Sequence, residues 1–176
     1  MLGTVAYCPQ DALLFSGTVG ENIAFSDGMK GEISEQMQRA AYIAALHEDL
    51  AGLPDGFQTP VGEGGVRVSG GQRGRIALAR AIHAGRKWLV LDDPFAAVDL
   101  ATERQIIERL RAHLGDTAIL LLSHRLAAFP EADLVLVLDR GRVVEQGTHA
   151  HLMRLGKVYP LLWRAQLSTA RGASWQ

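Results

Sequence analysis

WLVLDDP, Trp88 to Pro94, is the stretch that decides the fold, because it is an apolar run that ends in two adjacent carboxylates. A short, continuous apolar run is typical of a strand buried inside a parallel sheet. Parallel sheets present ligands at the carboxyl ends of their strands. We therefore expect Asp92 and Asp93 to lie at a binding edge. A purely structural interpretation, in which the two acids only turn the chain before Pro94, stays open.

Two further apolar runs follow, Ala118 to Leu122 and Leu134 to Leu138, and both are predicted to be strands of the same parallel sheet, buried on both faces. Between the first strand and the second lies Leu100 to Leu114, whose apolar residues recur at helical spacing and which Asp99 is able to cap. Strand, helix and strand in this order predict a crossover unit.

The C-terminal part of the chain is predicted to hold a hairpin, a helix and a loose tail. Gly141 turns the third apolar run into a hairpin strand, Arg142 to Glu145, at the edge of the sheet. A helix begins near Thr148, and the small, polar segment from Ser168 to Gln176 is expected to be loose.

Upstream of the first apolar run, the sequence predicts one strand and three helices: Leu2 to Tyr7, Thr18 to Phe25, Ser34 to Leu46, and a helix capped by Ser69 that runs to about Ala84. Leu53 to Val68 is rich in glycine and has no periodicity, so it is predicted to be a loop.

The composition excludes several classes of protein. The 176 residues are 48% hydrophobic and carry 18 basic and 19 acidic side chains, for a net charge of -1. These values predict one sizeable core and give no electrostatic reason to expect a nucleic-acid partner. Cys8 is the single cysteine, which excludes an internal disulfide. Every apolar stretch falls short of the ~20 residues that cross a bilayer.

Ser69, Gly70, Gly71 and Gln72 precede the acidic pair and suit a phosphate. The glycines let backbone N–H groups approach closely, the serine adds a hydroxyl, and the helix contributes the positive end of its dipole. The alternative, a capped helix start with a flexible turn before it, stays open. No Gly-x-x-x-x-Gly-Lys-[Ser/Thr] motif occurs in the chain, so the predicted nucleotide site is incomplete.

Three side chains after strands fit a phosphoryl-transfer site. Asp92 would hold Mg²⁺, and Asp93 would polarise the attacking water. His124, which follows another apolar run, could contact a γ-phosphate at the same edge of the sheet. A structural role for this histidine is the competing interpretation.

The order of these motifs resembles the nucleotide-binding domain of ATP-binding cassette transporters: YCPQ at 7–10, SGGQRGR at 69–75, LDD at 91–93, AVD at 97–99 and SH at 123–124. Three further segments resemble the exporter branch of that family: LFSGTVGENI at 14–23, TPVGEGG at 59–65 and GRVVEQGTH at 141–149. Only the tail lies outside the resemblance.

The resemblance implies an α/β fold, with a P-loop NTPase-like parallel sheet core and an inserted helical subdomain, truncated at the N-terminus. It divides the chain into the end of the core at 1–17, a helical subdomain with the exporter loop at 18–68, the signature helix and the rest of the core at 69–160, and a tail at 161–176. The missing phosphate loop would lie upstream of Leu2.

The same resemblance assigns roles and cofactors. ATP and Mg²⁺ are the implied cofactors, with Asp92 and Gln10 toward the metal. Asp93, His124 and Gln10 stand at the catalytic positions. The signature turn, Ser69 to Gln72, and Asp99 in the loop that joins two sites would face the nucleotide of an opposite subunit. Glu63 lies in the exporter loop, which would contact the transmembrane partner.

Asp93 departs from the glutamate that is usual in the hydrolytic subunits of this family. The loss of one methylene withdraws the carboxylate by roughly 1 to 1.5 Å, which predicts slow hydrolysis. The chain thus resembles the degenerate half of a heterodimeric exporter on the cytoplasmic face of a membrane, with a transmembrane domain and a second nucleotide-binding domain as partners. A homodimer, a non-catalytic module that supplies its signature in trans, and an inactive truncated product stay open.

Overall fold

The computed structural model describes residues 3–28, 33–126 and 128–172, with side chains described as far as residue 166. It divides into two compact units, Met1–Ser123 and His124–Gln176. Within the described residues, no helix combines the length and the apolar character needed to cross a membrane.

The first unit combines a parallel sheet with helices. Its α-helices are α1 (Val19–Ile23), α2 (Glu35–Ile43), α3 (His47–Gly52), α4 (Gly70–His83) and α5 (Leu100–His113). Its strands are β1 (Val5–Cys8), β2 (Gly17–Thr18), β3 (Pro60–Val61), β4 (Trp88–Asp92) and β5 (Ala118–Leu122). Short 3₁₀ turns lie at Ala24–Asp27 and Gly56–Gln58.

The parallel sheet has the strand order β1, β4, β5. Cys8 lies opposite Leu91, and Asp92 lies opposite Leu122, in two parallel ladders. The predicted strand, helix and parallel strand around α5 are therefore confirmed. The first strand begins at Val5 rather than at Leu2, which lies outside the described residues. The small pair β2 and β3 is antiparallel and separate from this sheet.

The prediction that the strands are buried on both faces is wrong for this sheet. Leu89 and Leu91 are buried, whereas Trp88 is 54% exposed, and Leu120 and Leu122 are 50% and 47% exposed. Side chains alternate between the two faces of a strand, and α4 packs against β1 and β4 on one face. Trp88, Leu120 and Leu122 lie on the other face and remain exposed.

Helix α4 is the central helix of the unit. Ser69 caps it, as predicted, and its last residue is His83, one residue before the predicted end. Its side chains Ile76, Leu78 and Ala79 are almost completely buried, and it packs against α1, α2 and β1. These residues lie on different sides of the helix, because the sheet and the neighbouring helices pack around much of its circumference, as is typical of a buried helix.

The other predicted helices of this unit are also present. Thr18 caps α1, Ser34 caps α2 through a bond from the Met37 N–H, and Asp99 caps α5. Helix α3 was not predicted, and it lies just before the segment that was interpreted as a loop. It is only six residues long, too short for a helical period to emerge from the sequence.

Arg80 joins α4 to the segment before α1. Its guanidinium donates to the backbone oxygens of Asn22 and Leu13, at 2.8 and 3.0 Å, and to Oδ1 of Asn22 at 2.8 Å. It also lies over the ring of Phe15, 5.0 Å from the centroid. Asn22 is fully buried; its Oδ1 accepts from the Phe15 N–H, and its Nδ2 donates to the Phe15 carbonyl. These bonds hold residues 13–23 on the helix.

The second unit contains β6 (Val135–Asp139), β7 (Arg142–Gly147), α6 (His149–Leu155) and α7 (Val158–Gly172), after a 3₁₀ turn at Phe129–Glu131. The hairpin and the Thr148 cap of α6 are confirmed. Within the described residues, however, β6 pairs only with β7 and antiparallel, so its predicted place in the parallel sheet is wrong. Arg140 and Gly141 both have positive φ, the geometry of a tight two-residue hairpin that favours local pairing.

Helix α7 contradicts the prediction of a loose tail from Ser168, because it continues to Gly172; residues 173–176 lie outside the described part. Its start is fixed by Glu145, a buried side chain of β7. The two carboxylate oxygens accept from the N–H groups of Val158 and Tyr159, at 2.6 and 3.1 Å. Capping by a charged acceptor stabilises the first turn of a helix, and Tyr159 joins the core of this unit.

The Asn22 contacts predict a large loss of stability for Asn22→Ala. The substitution leaves the Phe15 N–H and part of the Arg80 guanidinium without an acceptor in a buried place, so we expect the free energy of unfolding to fall by about 2 to 4 kcal/mol. Urea unfolding of the chain measures it. Ser26→Ala, on an exposed residue nearby, should change it by less than about 0.5 kcal/mol, and equal losses would contradict the assignment.

Candidate functional site

The two carboxylates stand at the carboxyl edge of the parallel sheet, as the sequence predicted. Asp92 is the last residue of β4, and Asp93 follows it directly. Gln10 comes two residues after the end of β1, the neighbouring parallel strand, and is exposed. Because parallel strands end at the same edge, Gln10 and the acidic pair emerge on the same side of the first unit.

Asp92 has a partner that the sequence did not reveal. The hydroxyl of Tyr7 donates to Oδ2 of Asp92 at 2.9 Å. Its hydrogen bond to Asp92 raises the pKa of Tyr7 above the usual 10.0, with smaller contributions from burial and from the negative charge of Asp92. Only the pairing of β1 with β4 brings these residues together, since they lie 85 positions apart in the chain.

Asp93 is held at the junction between β4 and β5. Its N–H donates to the Leu122 carbonyl at 2.8 Å, and the Ser123 hydroxyl donates to its Oδ1 at 3.4 Å. The residue is only 7% exposed and has a positive φ of 43°. Aspartate is among the few residues, apart from glycine, that adopt this left-handed conformation with some frequency. The backbone geometry at this position therefore suits the aspartate that the chain carries.

The donor set at this edge fits magnesium. Mg²⁺ prefers oxygen ligands and is usually held by one or two carboxylates together with water and substrate phosphates. Asp92 and Gln10 supply a carboxylate and an amide oxygen at the same sheet edge. Among the described residues there is no group of three or more His, Cys, Asp or Glu side chains that could hold a metal ion.

The signature turn has a reciprocal capping arrangement. The Gln72 N–H donates to Oγ of Ser69 at 3.1 Å, and the Ser69 N–H donates to Oε1 of Gln72 at 2.9 Å. The first intrahelical bond runs from the Arg73 N–H to the Ser69 carbonyl. Within the described part of the chain, the N–H groups of Gly70 and Gly71 have no acceptor. The turn therefore presents two backbone donors and a serine hydroxyl at the positive end of a 14-residue helix.

The loop after the acidic pair packs against this turn. A β-carbon at Gly70 would stand 3.5 Å from Cβ of Ala97, and one at Gly71 would stand 2.7 Å from the Ala97 carbonyl oxygen. Gly71 is thus required by close backbone contact, whereas a β-carbon at Gly74 would meet only the Pro94 oxygen, at 3.7 Å. The signature turn and residues 94–97 form one packed surface.

Asp99 uses its carboxylate to begin α5. Its Oδ1 accepts from the N–H groups of Ala101 and Thr102, both at 3.0 Å, and its Oδ2 accepts from the Thr102 hydroxyl at 2.7 Å. The hydrogen bond from the Thr102 hydroxyl, followed by that from its N–H, lowers the pKa of Asp99. The predicted helix cap is confirmed, and the predicted role toward a nucleotide stays a prediction.

His124 is the first residue of the second unit and is exposed. Its backbone carbonyl accepts a hydrogen bond from the side-chain amide of Gln166, on α7. The role predicted for its imidazole therefore stays a prediction, as does that of Glu63, an exposed residue of the turn after β3.

The contacts around the two glycines predict opposite effects for two substitutions on one helix. Gly71→Ala should destabilise the chain by more than about 1 kcal/mol, because the methyl group would overlap the Ala97 carbonyl. Gly74→Ala should stabilise it by up to about 1 kcal/mol, because alanine favours the helix and meets no close atom. Urea midpoints compare the two variants, and the same sign for both would contradict the geometry.

The Tyr7 contact predicts a pKa that depends on Asp92. In the wild-type chain the pKa of the Tyr7 hydroxyl should lie above its usual value, because deprotonation breaks its hydrogen bond to the Asp92 carboxylate. Asp92→Asn removes that charge, and the pKa of Tyr7 should fall toward 10. Titration of ¹³C-labelled tyrosine rings by NMR measures it. An unchanged Tyr7 pKa would contradict the hydrogen bond.

Comparison with known proteins places this geometry in a family. The family model described as "ABC transporter" matches residues 1–96. A probable multidrug resistance ABC transporter ATP-binding/permease protein, YheI of Bacillus subtilis, is 44% identical over 169 residues, which cover 96% of this chain and 28% of that protein. An ATP-dependent lipid A-core flippase of Albidiferax ferrireducens is 41% identical over 162 residues, 92% of this chain and 28% of the flippase.

A solved structure shows the same fold. The ATP-bound structure of a bacterial Atm1-family ABC exporter matches with a TM-score of 0.85 and 36% sequence identity, over 93% of this chain and 29% of that one. The chain thus spans less than a third of the length of these relatives. The mixed α/β fold with a parallel sheet agrees with the fold that the sequence predicted. On the family model and on these identities, the chain belongs to the ABC transporter family.

Proposed function

We propose that the protein carrying this chain is an ATPase subunit of an exporter, and that this chain presents its signature turn to an ATP molecule held by a second nucleotide-binding domain. The observation that carries the proposal is the exposed first turn of α4. There the N–H groups of Gly70 and Gly71 and the Ser69 hydroxyl remain available at the positive end of a long helix.

A terminal phosphate is the group that this turn suits best. Three donors in a compact arrangement match the oxygens of a phosphate, and the helix dipole favours its negative charge. The Ser69 oxygen already accepts one hydrogen bond from Gln72, so its hydroxyl proton is free to be donated to a ligand. We propose that Ser69, Gly70, Gly71 and Gln72 contact the γ-phosphate of the partner's ATP, with Asp99 in the loop between the two sites.

Of the two ATP sites in such an assembly, we propose that the one at this chain's sheet edge hydrolyses ATP more slowly. Asp92 and Gln10 would hold Mg²⁺, which neutralises phosphate charge when it is bound. Asp93 would occupy the position of the catalytic base, and His124 would contact the γ-phosphate. The Asp93 carboxylate is shorter than that of glutamate by one methylene, and it is tied back to Ser123 within a buried junction. A base outside hydrogen-bond reach forfeits much of a factor of roughly 10² to 10⁴ in rate.

These features favour a heterodimer in which this chain is the degenerate half and the partner supplies the glutamate. The whole assembly would couple ATP binding and hydrolysis to export, with a transmembrane domain as the second partner and the nucleotide sites on the cytoplasmic side. A non-catalytic module is the second candidate, because the buried, strand-tied Asp93 and the exposed signature turn are also what a subunit needs if it only completes a partner's site.

The proposal is tested by mixing the 176-residue chain with a complete ABC ATPase domain that has a phosphate loop and a catalytic glutamate. Phosphate release per complete domain should rise several-fold on addition of the chain. Ser69→Ala should abolish most of the increase, because it removes both the hydroxyl donor and the cap. Asp93→Asn should retain the increase, because the partner's glutamate does the chemistry.

Two results would count against this function. No increase with the wild-type chain would show that the signature turn does not complete the partner's site. An increase that Asp93→Asn abolishes would show that Asp93 itself is the working base. Asp93→Glu adds a second test in the same mixture: no change is expected, because the chain has no phosphate-loop motif, and a further rise would show that its own sheet edge hydrolyses ATP.

A further inference from the structure

Asp49, on α3, bonds to two side chains of the signature helix. Its Oδ1 accepts from Nε2 of Gln72 at 3.2 Å, and its Oδ2 accepts from Nε and Nη2 of Arg75, at 3.1 and 2.6 Å. The side chains of Arg75 and Asp49 are only 13% and 17% exposed, so water screens this ion pair little. This contact could not be predicted from the sequence, because α3 itself was not predicted.

The contact determines how the Gln72 amide is turned. Its Nε2 faces the Asp49 carboxylate, and its Oε1 accepts from the Ser69 N–H. Rotating the amide by 180° would set its NH₂ against the Ser69 N–H and its oxygen against a carboxylate, which are both repulsive arrangements. The charge of Asp49 therefore excludes the flipped amide. With the amide fixed, the Gln72 side chain holds the Ser69 backbone N–H, while the Gln72 backbone N–H holds the Ser69 hydroxyl oxygen.

We propose that Asp49 is a positioning residue for the signature turn. It acts through Gln72, and it keeps Ser69, Gly70 and Gly71 in one arrangement of donors before a nucleotide arrives. Arg75 fixes the carboxylate of Asp49 from the other side, one helical turn further along α4. The proposal rests on the proposed function of this turn, and it adds that the placement of α3 controls the geometry of the turn.

Asp49→Asn is the test variant, because it keeps the size of the side chain and replaces one acceptor oxygen with a donor. Glu48→Gln is the matched control: it makes the same change of charge on the neighbouring residue, whose side chain is 84% exposed and lies 3.9 Å from His47. In the mixture with the complete ATPase domain, Asp49→Asn should lower kcat about tenfold. The KM for ATP should change less than twofold, because Asp49 does not touch the nucleotide, and Glu48→Gln should leave both constants unchanged.

A double-mutant cycle separates positioning from general stability. If Asp49 acts through Gln72, the effect of Asp49→Asn on kcat should largely disappear in a Gln72→Leu background. The same tenfold loss in both backgrounds would overturn the proposal. Asp49→Glu keeps two acceptor oxygens and should recover most of the wild-type turnover. If Asp49→Asn does not fold, as judged by circular dichroism, the comparison of Asp49→Glu with Gln72→Leu decides, and equal losses for these two overturn the proposal.

A measurement without activity distinguishes this proposal from the proposed function. In the ¹⁵N-labelled chain, the Gln72 side-chain NH₂ should exchange slowly with solvent in the wild type and in Glu48→Gln, and fast in Asp49→Asn; Gln72→Leu assigns its resonances. Slow exchange in Asp49→Asn would overturn the role of Asp49. If exchange behaves as expected but Ser69→Ala has no effect on the partner's ATPase, Asp49 holds Gln72 as inferred and the proposed function of the turn is what fails.

Discussion

Helix α4 imposes the constraint on which the first unit depends: it has to bury its apolar residues while leaving its first turn open. Burial of Ile76, Leu78 and Ala79 against the sheet and the neighbouring helices fixes the axis of the helix. Polar contacts then fix its ends, through Arg80 near the C-terminus and Arg75 near the N-terminus. Because the core holds the helix in place, the signature turn can remain exposed without losing its shape.

Packing also gives the acidic pair, Asp92 and Asp93, a fixed position at the end of its strand. A strand held by parallel neighbours on both sides ends in a rigid position, so Asp92 and Asp93 are set by the sheet rather than by a loop. The two residues differ in environment: Asp92 faces Tyr7, whereas Asp93 is drawn into the junction with Ser123. Their roles in the proposed function differ for that reason: Asp92 would bind the metal, whereas Asp93 would be a poorly placed catalytic base.

Much of the fold could be predicted from local signals. The caps Ser34, Ser69, Asp99 and Thr148 each begin a helix where the sequence placed one, since a cap acts on the two or three residues that follow it. The partner of each strand was harder to predict than the start of each helix. The run from Leu134 to Leu138 resembles a parallel strand in composition, but its partner depends on the tight turn at Arg140 and Gly141, which makes the antiparallel neighbour the nearer one.

The sequence by itself determined the order of the elements, the family resemblance, the edge on which the carboxylates lie and the turn that suits a phosphate, because all of these depend on short motifs. Only the tertiary structure decided which side chains hold them. Tyr7 reaches Asp92 across 85 positions, and Asp49 reaches Gln72 and Arg75 across 23 and 26. Such bonds form when packing brings distant elements together, and no local pattern encodes them.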